Sequence, residues 1–401
     1  YERQFQMLIT QLAKKGKVVI LIDEYDKPII DNLQNIEEAK RIRDVLKGFY
    51  TVIKAMDRYL RFVFLTGVSK FSKVGVFSGL NNLEDLTMRA SFATALGITE
   101  HELRSNFDAH LDALATTLAL TKAALLEKIR YWYNGFRFAE GGESVYNPFS
   151  LLLLFKEERF DNFWFATGTP TFLMNLIRER NYGLQEVTDP KLGHLAFSSY
   201  ELERLEIAPL LVQTGYLTIK GYDPARRLYD LSYPNFEVED AFLTFLLGSF
   251  TDVEKGLAEG YIWQLISDLQ AARLADFFET FRIFFAQVPY TIRLKQEKYY
   301  QSIFHIIFTL IGLRAEAEVA TDRGRIDAVI ELAQRIYLFE FKLDGSAETA
   351  LAQIKTHQYA TKYRGRVKPV HLVGVNFAAE TGEVREWLEE VDGQRSTDGG
   401  N

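Results

Sequence analysis

The segment "KVVILIDEYDKP" sets five apolar residues, Val18 to Ile22, in an unbroken run that stops at Asp23-Glu24. A short run without alternation reads as a strand buried on both faces, the habit of parallel sheets flanked by helices. A helical pattern follows from about Glu37 to Tyr59, then a second apolar run, "RFVFLTG", ending at Thr66-Gly67. Strand, helix, strand in that order predicts an α/β unit with parallel strands.

The position of the acids follows from that expectation. Ligands of parallel sheets sit beyond the carboxyl ends of the strands, so Asp23 and Glu24 would face a site in the layout of a Walker B element. One carboxylate can hold Mg²⁺ and the next can orient an attacking water. Thr66 ends the next strand, where a polar sensor belongs. The same two acids also read as the start of a solvated loop that caps a helix. The phosphate cradle that would decide between them, G-x-x-x-x-G-K-[ST], is absent from the sequence. "GVSKFSKVGVFSG" has glycines and lysines but follows the second strand with the wrong spacing.

A length of 401 residues exceeds one core and predicts two or three domains. The net charge of −7 argues against attraction of the whole surface to nucleic acid, leaving a local basic groove open. There is no cysteine, which excludes disulfides, zinc–thiolate sites, iron–sulfur clusters and thiol nucleophiles, and suits a reducing cytoplasm. No apolar run approaches the ~20 residues of a membrane span. The chain opens on Tyr1 rather than Met, and the natural start is expected upstream.

Farther along, Thr99 to Arg130 is helical in pattern, "YNGFRFAEGGESVYNP" is turn-rich, and helices resume from Pro148 to about Glu206. "GYLTIKGYDPARRLYDLSYPN" alternates on either side of Asp223-Pro224 and predicts a hairpin, here in the layout of a winged helix. Helices follow from Phe236 to about Phe285. The last unit orders its elements α-β-β-β-α-β. The expected boundaries are 1–100 for the α/β core, 101–285 for a helical and winged-helix-like middle, 286–380 for the last α/β unit and 381–401 for a helix end and tail.

In that last unit "IYLFEFKLDG" sets Glu340 and Lys342 on one face of an otherwise apolar strand, and Asp327 lies in the preceding strand, "RIDAVIEL". In a hairpin the three side chains converge. Two carboxylates brought close repel unless a hard cation such as Mg²⁺ joins them, and such a cation lowers the pKa of water. Lys342 would then stabilise charge on a phosphate. The alternation also fits a half-exposed strand with Leu338, Glu340 and Lys342 in water and Tyr337, Phe339 and Phe341 buried. The wider order, Asp327, Glu340-x-Lys342, then a helix with Gln353 and Tyr359, is more specific than any of its parts.

"EKYYQSIFHIIFTLIG", "RGRIDAVIEL" and "IYLFEFKLDGSAETALAQIKTHQYATKY" together resemble the PD-(D/E)XK nuclease superfamily, whose fold is that of restriction endonucleases. "GKVVILIDEYDKPI" with "FVFLTGVSKFSKVGVFSGLNNLEDLT" resembles the AAA-ATPase-like, P-loop-type domain fused to such nucleases in bacteria. The resemblance implies metal ligation by Asp327 and Glu340 with the carbonyl of Phe341, catalysis by Lys342, and contact of Gln353 and Tyr359 with the site or the nucleic-acid backbone. Glu297, Glu316 and Glu318 compete for the acidic position of the first helix. In the ATPase-like part it implies Asp23 as the Mg²⁺ ligand and Glu24 as the base, with ATP bound in the full-length family through a loop upstream of this strand. Without that loop, this stretch is not expected to bind ATP normally.

The expected activity is therefore hydrolysis of DNA with Mg²⁺ or Mn²⁺ under an ATPase-like regulatory domain, in the cytoplasm, with oligomers open. The rivals are an inactive, nucleotide-regulated nucleic-acid-binding switch, which retains DNA without cutting it, and a purely structural module. The six histidines show no i, i+4 pairing; His357, one turn after Gln353, could approach a phosphate. Lys362, Arg364, Arg366 and Lys368 read either as phosphate contacts or as a solvated charge run.

Overall fold

The computed structural model describes residues 1–33, 35–67, 82–167, 173–174, 176–177, 190–197, 206–288, 297–314, 318–320, 327–363, 367–378 and 382–392. They fall into two compact units, Tyr1–Leu176 with Gln185–Glu239, and Ile177–Leu184 with Asp240–Asn401.

In the first unit α1 (Glu2–Leu12) leads into β1 (Val18–Ile22), and a short α2 (Lys27–Ile30) precedes α3 (Ile36–Ala55) and β2 (Leu60–Leu65). Asn35 starts α3 by accepting the Glu38 amide on its side chain, as an N-cap does. β1 and β2 pair in parallel. Ile9, Ile20, Ile29, Tyr50, Ile53 and Leu60 form the core between α1, α3 and one face of this ribbon. The opposite face carries Val19, Leu21, Phe62 and Phe64, which are exposed. The expectation of burial on both faces is thus corrected: among the described residues the ribbon has two strands and a helical cover on one side.

Helices α4 (Glu100–Asn106), α5 (Asp108–Thr117) and α6 (Lys122–Tyr133) follow, α4 opened by a reciprocal capping box of Thr99 and Glu102. The turn-rich stretch contains a ribbon of β3 (Asn134–Phe136) and β4 (Val145–Tyr146), and Pro148 opens α7 (Pro148–Glu157). Of the helical stretches expected up to about Glu206, residues 173–174 and 176–177 are helical, and most of 168–205 lies outside the described residues. β5 (Lys191–Gly193) instead pairs with β7 (Leu228–Ser232), which pairs with β6 (Thr218–Asp223) behind α8 (Ile207–Gln213). The alternating hairpin pattern supplied an edge that the three residues of β5 complete. α9 (Phe236–Thr251) begins in this unit and continues in the second.

The second unit adds α10 (Lys255–Gln270), α11 (Leu274–Gln287) and α12 (Glu297–Arg314) to β8 (Glu318–Ala320), β9 (Ala328–Glu331), β10 (Ile336–Leu343), α13 (Ala347–Thr356), β11 (Val370–Phe377) and β12 (Val384–Val391). The sheet runs β12-β11-β10-β9-β8, parallel only between β10 and β11. On one face Phe277 and Phe281 of α11 and Phe304 and Phe308 of α12 pack on Phe339, Phe341 and Phe377. On the other, α13 sets Leu351 and Ile354 against Leu338, Val329 and Leu372. β10 is therefore covered on both faces, and the half-exposed reading fails: Leu338 is 0% exposed. β12 occupies the stretch expected as a helix end. Val384, Trp387, Leu388 and Val391 have helical spacing, but pairing with the fully buried β11 and the stack of Trp387 on Phe278 at 5.0 Å decide for strand.

Candidate active site

β10 fixes the site. Its antiparallel register with β9 sets Phe339 opposite Ala328, so Asp327 and Glu340 are the next positions outward, just before β9 begins. Asp327 is anchored by the backbone N–H of Phe341, which donates to its Oδ2 at 2.6 Å. Two residues apart on a strand, Glu340 and Lys342 share one face, and that face lies under α13.

α13 comes close because β11 has glycine opposite Glu340. A Cβ at Gly374 would run into the carbonyl oxygen of Ala347 and stand 2.6 Å from the amide nitrogen of Leu351. Ser346 caps the helix through the Thr349 amide, and Glu386 of β12 accepts the Ala347 N–H at 2.8 Å. Gln353 is thereby lowered onto the strand. Its Nε2 donates to Glu340 Oε1, and its Oε1 accepts from Lys342 Nζ at 2.7 Å. Lys342 Nζ also reaches Glu340 Oε1 at 3.2 Å.

The two bonds that reach Glu340 both end on its Oε1. The residue is 2% exposed, and its other oxygen, Oε2, is buried without a hydrogen-bond partner. A buried carboxylate oxygen left bare is costly unless something unlike a hydrogen-bond donor is meant to meet it. Burial raises the pKa of Glu340, and the nearby Asp327 raises it further; burial likewise raises that of Asp327 against the pull of the Phe341 amide and Lys342. Two carboxyls that resist ionisation side by side are a site short of positive charge. The donor set fits a hard divalent cation. Among the described residues no cluster of three or more His, Asp or Glu side chains is placed for a metal, so carbonyl or water oxygens would complete the shell.

The structure thus brings Asp327, Glu340, Phe341, Lys342 and Gln353 together. Tyr359 is not among the partners of Glu340. It packs on the cluster beneath α13, one turn past the helix, with its ring stacked on His357. Lys368 is committed to Glu331 and the carbonyl of Leu332, and Lys362 lies over the Tyr363 ring. Glu316, Arg364 and Arg366 lie outside the described residues, as do the side chains of Glu297 and Glu318. Gly374, Asn376 and Glu386, which hold the helix and its entry turn, are residues that sequence reasoning missed; the glycine inside the apolar run "HLVGVNF" was the available signal.

In the first unit Thr66 donates its hydroxyl to Asp23 Oδ1, which also accepts the Glu24 amide at 3.0 Å. Asp23 and Thr66 are therefore one constellation at the ends of adjacent strands. Glu24 adopts a left-handed φ of 52° and turns its half-exposed carboxylate to Lys27 at 3.7 Å. Among the described residues no helix is long and apolar enough to cross a membrane.

Comparison with known proteins gives a match of residues 1–77 to a family described as predicted AAA-ATPase, and of residues 295–387 to the PD-(D/E)XK nuclease superfamily. A protein of Azotobacter chroococcum mcd 1, described as an uncharacterized protein in the vnfD 5′ region, is 39% identical over 396 residues, or 95% of this chain and 73% of that protein. No solved structure matches the chain.

Proposed function

Because the chain belongs to the family that joins a predicted AAA-ATPase domain to a PD-(D/E)XK nuclease superfamily domain, we propose that it hydrolyses phosphodiester bonds in DNA, with Mg²⁺ or Mn²⁺ as the cation. The observation that carries this reading is the bare, buried Oε2 of Glu340 beside Asp327 and Lys342. Asp327, Glu340 and the carbonyl of Phe341 would hold the cation. When bound, it supplies Lewis-acid polarisation of a phosphate oxygen.

The remaining work falls to side chains. The Phe341 amide keeps Asp327 turned toward Glu340. Lys342 donates to the phosphate, countering charge that builds during hydrolysis. Gln353, bonded to both Lys342 and Glu340, aims the ammonium. Tyr359, beyond the helix, contacts the nucleic-acid backbone. In the first unit, where ATP is bound through a loop upstream of this strand, Asp23 would hold the Mg²⁺, Glu24 would orient water after leaving Lys27 and Thr66 would serve as the sensor, and this domain would then regulate the nuclease.

Incubation of the protein with linear and circular DNA and Mn²⁺ tests the proposal. Asp327→Ala and Lys342→Ala should each slow cleavage about a hundredfold or more, and Glu340→Ala should abolish Mn²⁺ binding by calorimetry. Undiminished cleavage in either of the first two variants would overturn the assignment.

A further inference from the structure

Lysine carries its charge on a flexible four-carbon stem, so a Lys that must meet one atom needs a wall along that stem. For Lys342 the wall is backbone. A Cβ built on Gly345 would stand 3.0 Å from Lys342 Cβ and 3.6 Å from Cγ. Gly345 therefore lies flush against the lysine's aliphatic part, and any shift of this residue frees or displaces the stem.

One side chain holds Gly345 in place. The Gly345 N–H donates to Asn376 Oδ1 at 3.0 Å, and its carbonyl accepts from Asn376 Nδ2 at 2.9 Å. Asn376 is 4% exposed and sits in β11 in register with Lys342 itself. The last backbone bond between β10 and β11 runs from the Asp344 N–H to the Phe377 carbonyl at 2.9 Å, and Asp344 turns through a φ of 51°. Past that corner Asn376 offers the acceptor and donor that a neighbouring strand would have offered. It is not the helix anchor: α13 has its own cap in Ser346 and its own tie to Glu386.

We propose that Asn376 is a positioning residue that acts on Lys342 through Gly345. It fixes the entry turn against the stem, so that Nζ stays within reach of both Glu340 Oε1 and Gln353 Oε1. As a role in catalysis this rests on the nuclease reading of the site; as a coupling between three residues it does not.

Reductive methylation of the full chain, with Lys342 followed by peptide mass spectrometry, tests the coupling without any cleavage assay. In Asn376→Ala, Lys342 should label about fivefold faster, the factor set by one lost hydrogen bond of ordinary net strength. Lys355, on the same helix as Gln353, should label as in the wild type. Gly345→Ala leaves both Asn376 bonds available but pushes on the stem, and should also speed labelling of Lys342; it decides the matter if Asn376→Ala fails to fold. In DNA cleavage, Asn376→Ala should lower kcat about tenfold or more, as small misplacements of a reacting group do, with KM and Mn²⁺ affinity unchanged. Wild-type labelling of Lys342 in the folded variants overturns the inference, whether or not DNA is cut. The expected labelling in a protein that cuts nothing overturns the nuclease reading alone and leaves the coupling standing.

Discussion

Glu237 is a buried acid that the catalytic constellation does not use. It sits in the first turn of α9 and is 0% exposed. One of its oxygens accepts from the Trp164 amide at 2.8 Å and the Ser150 hydroxyl at 3.0 Å, and the other is bare. Burial outweighs these bonds and pushes the carboxyl up to about 7. The folded protein therefore keeps this proton to about pH 7, whereas an unfolded chain releases it near the ordinary 4.5. The stability that Glu237 contributes is full below 4.5 and is lost as pH rises through 7. Urea unfolding between pH 5 and 8 should show a decline that Glu237→Gln removes, the difference reaching roughly 3 kcal/mol. The sequence hid this residue, because an acid in the first turn of a helix looks like an exposed complement to the helix dipole. Asp327, Glu340, Lys342 and Gln353 were legible, since their chemistry is written in residue types at strand and helix spacing. What spacing did not reveal is that Lys342 and Gln353 both close on a single oxygen.

Elements were readable where period and tertiary demand agreed. β10, apolar apart from Glu340 and Lys342, and β11, apolar apart from His371 and Asn376, fold as central strands with cover on both sides. β12 was misread because its apolar residues repeat at helical intervals, while the demand for an antiparallel neighbour on β11 comes from elsewhere in the chain. β1 is an unbroken apolar run, yet its Leu21 is 69% exposed. A pattern shows what a strand can tolerate, not what covers it. The aromatic layer between sheet and helices gives the prediction at this scale. Phe308 of α12 is 2% exposed and meets Phe339 at 5.1 Å and Phe341 at 5.4 Å. Phe308→Ala should cost about 3–5 kcal/mol by chemical denaturation. Because Phe341 both packs here and donates to Asp327, the same change should weaken Mn²⁺ binding.

For the molecule as a whole, the decisive quantity is charge. With a net −7, the surface repels a polyanion on average, so nucleic acid must be held by a small local footprint. DNA affinity, measured in the presence of Ca²⁺ to hold back cleavage, should fall with salt on a log–log slope of about −2 to −4, that of a few phosphate contacts. A slope steeper than about −7 would signal a broad basic surface that the composition does not suggest. Division into more than one domain was legible from length and from the two unlike α/β patterns. The boundary was not, because α9 is one continuous helix whose first residues belong to one compact unit and whose remainder belongs to the other.

The missing methyl at Gly374 reaches farther than its size. α13 is pinned at its start by Ser346 and Glu386, so a side chain at Gly374 would not slide the helix but tilt it about that pin. Gln353 lies six residues beyond Ala347, about 9 Å along the axis, outboard of the clash. A rod pivoted at one end multiplies small displacements toward its tip, and here the tip carries the amide that steers the lysine. Tolerance at position 374 is governed by leverage, not by volume.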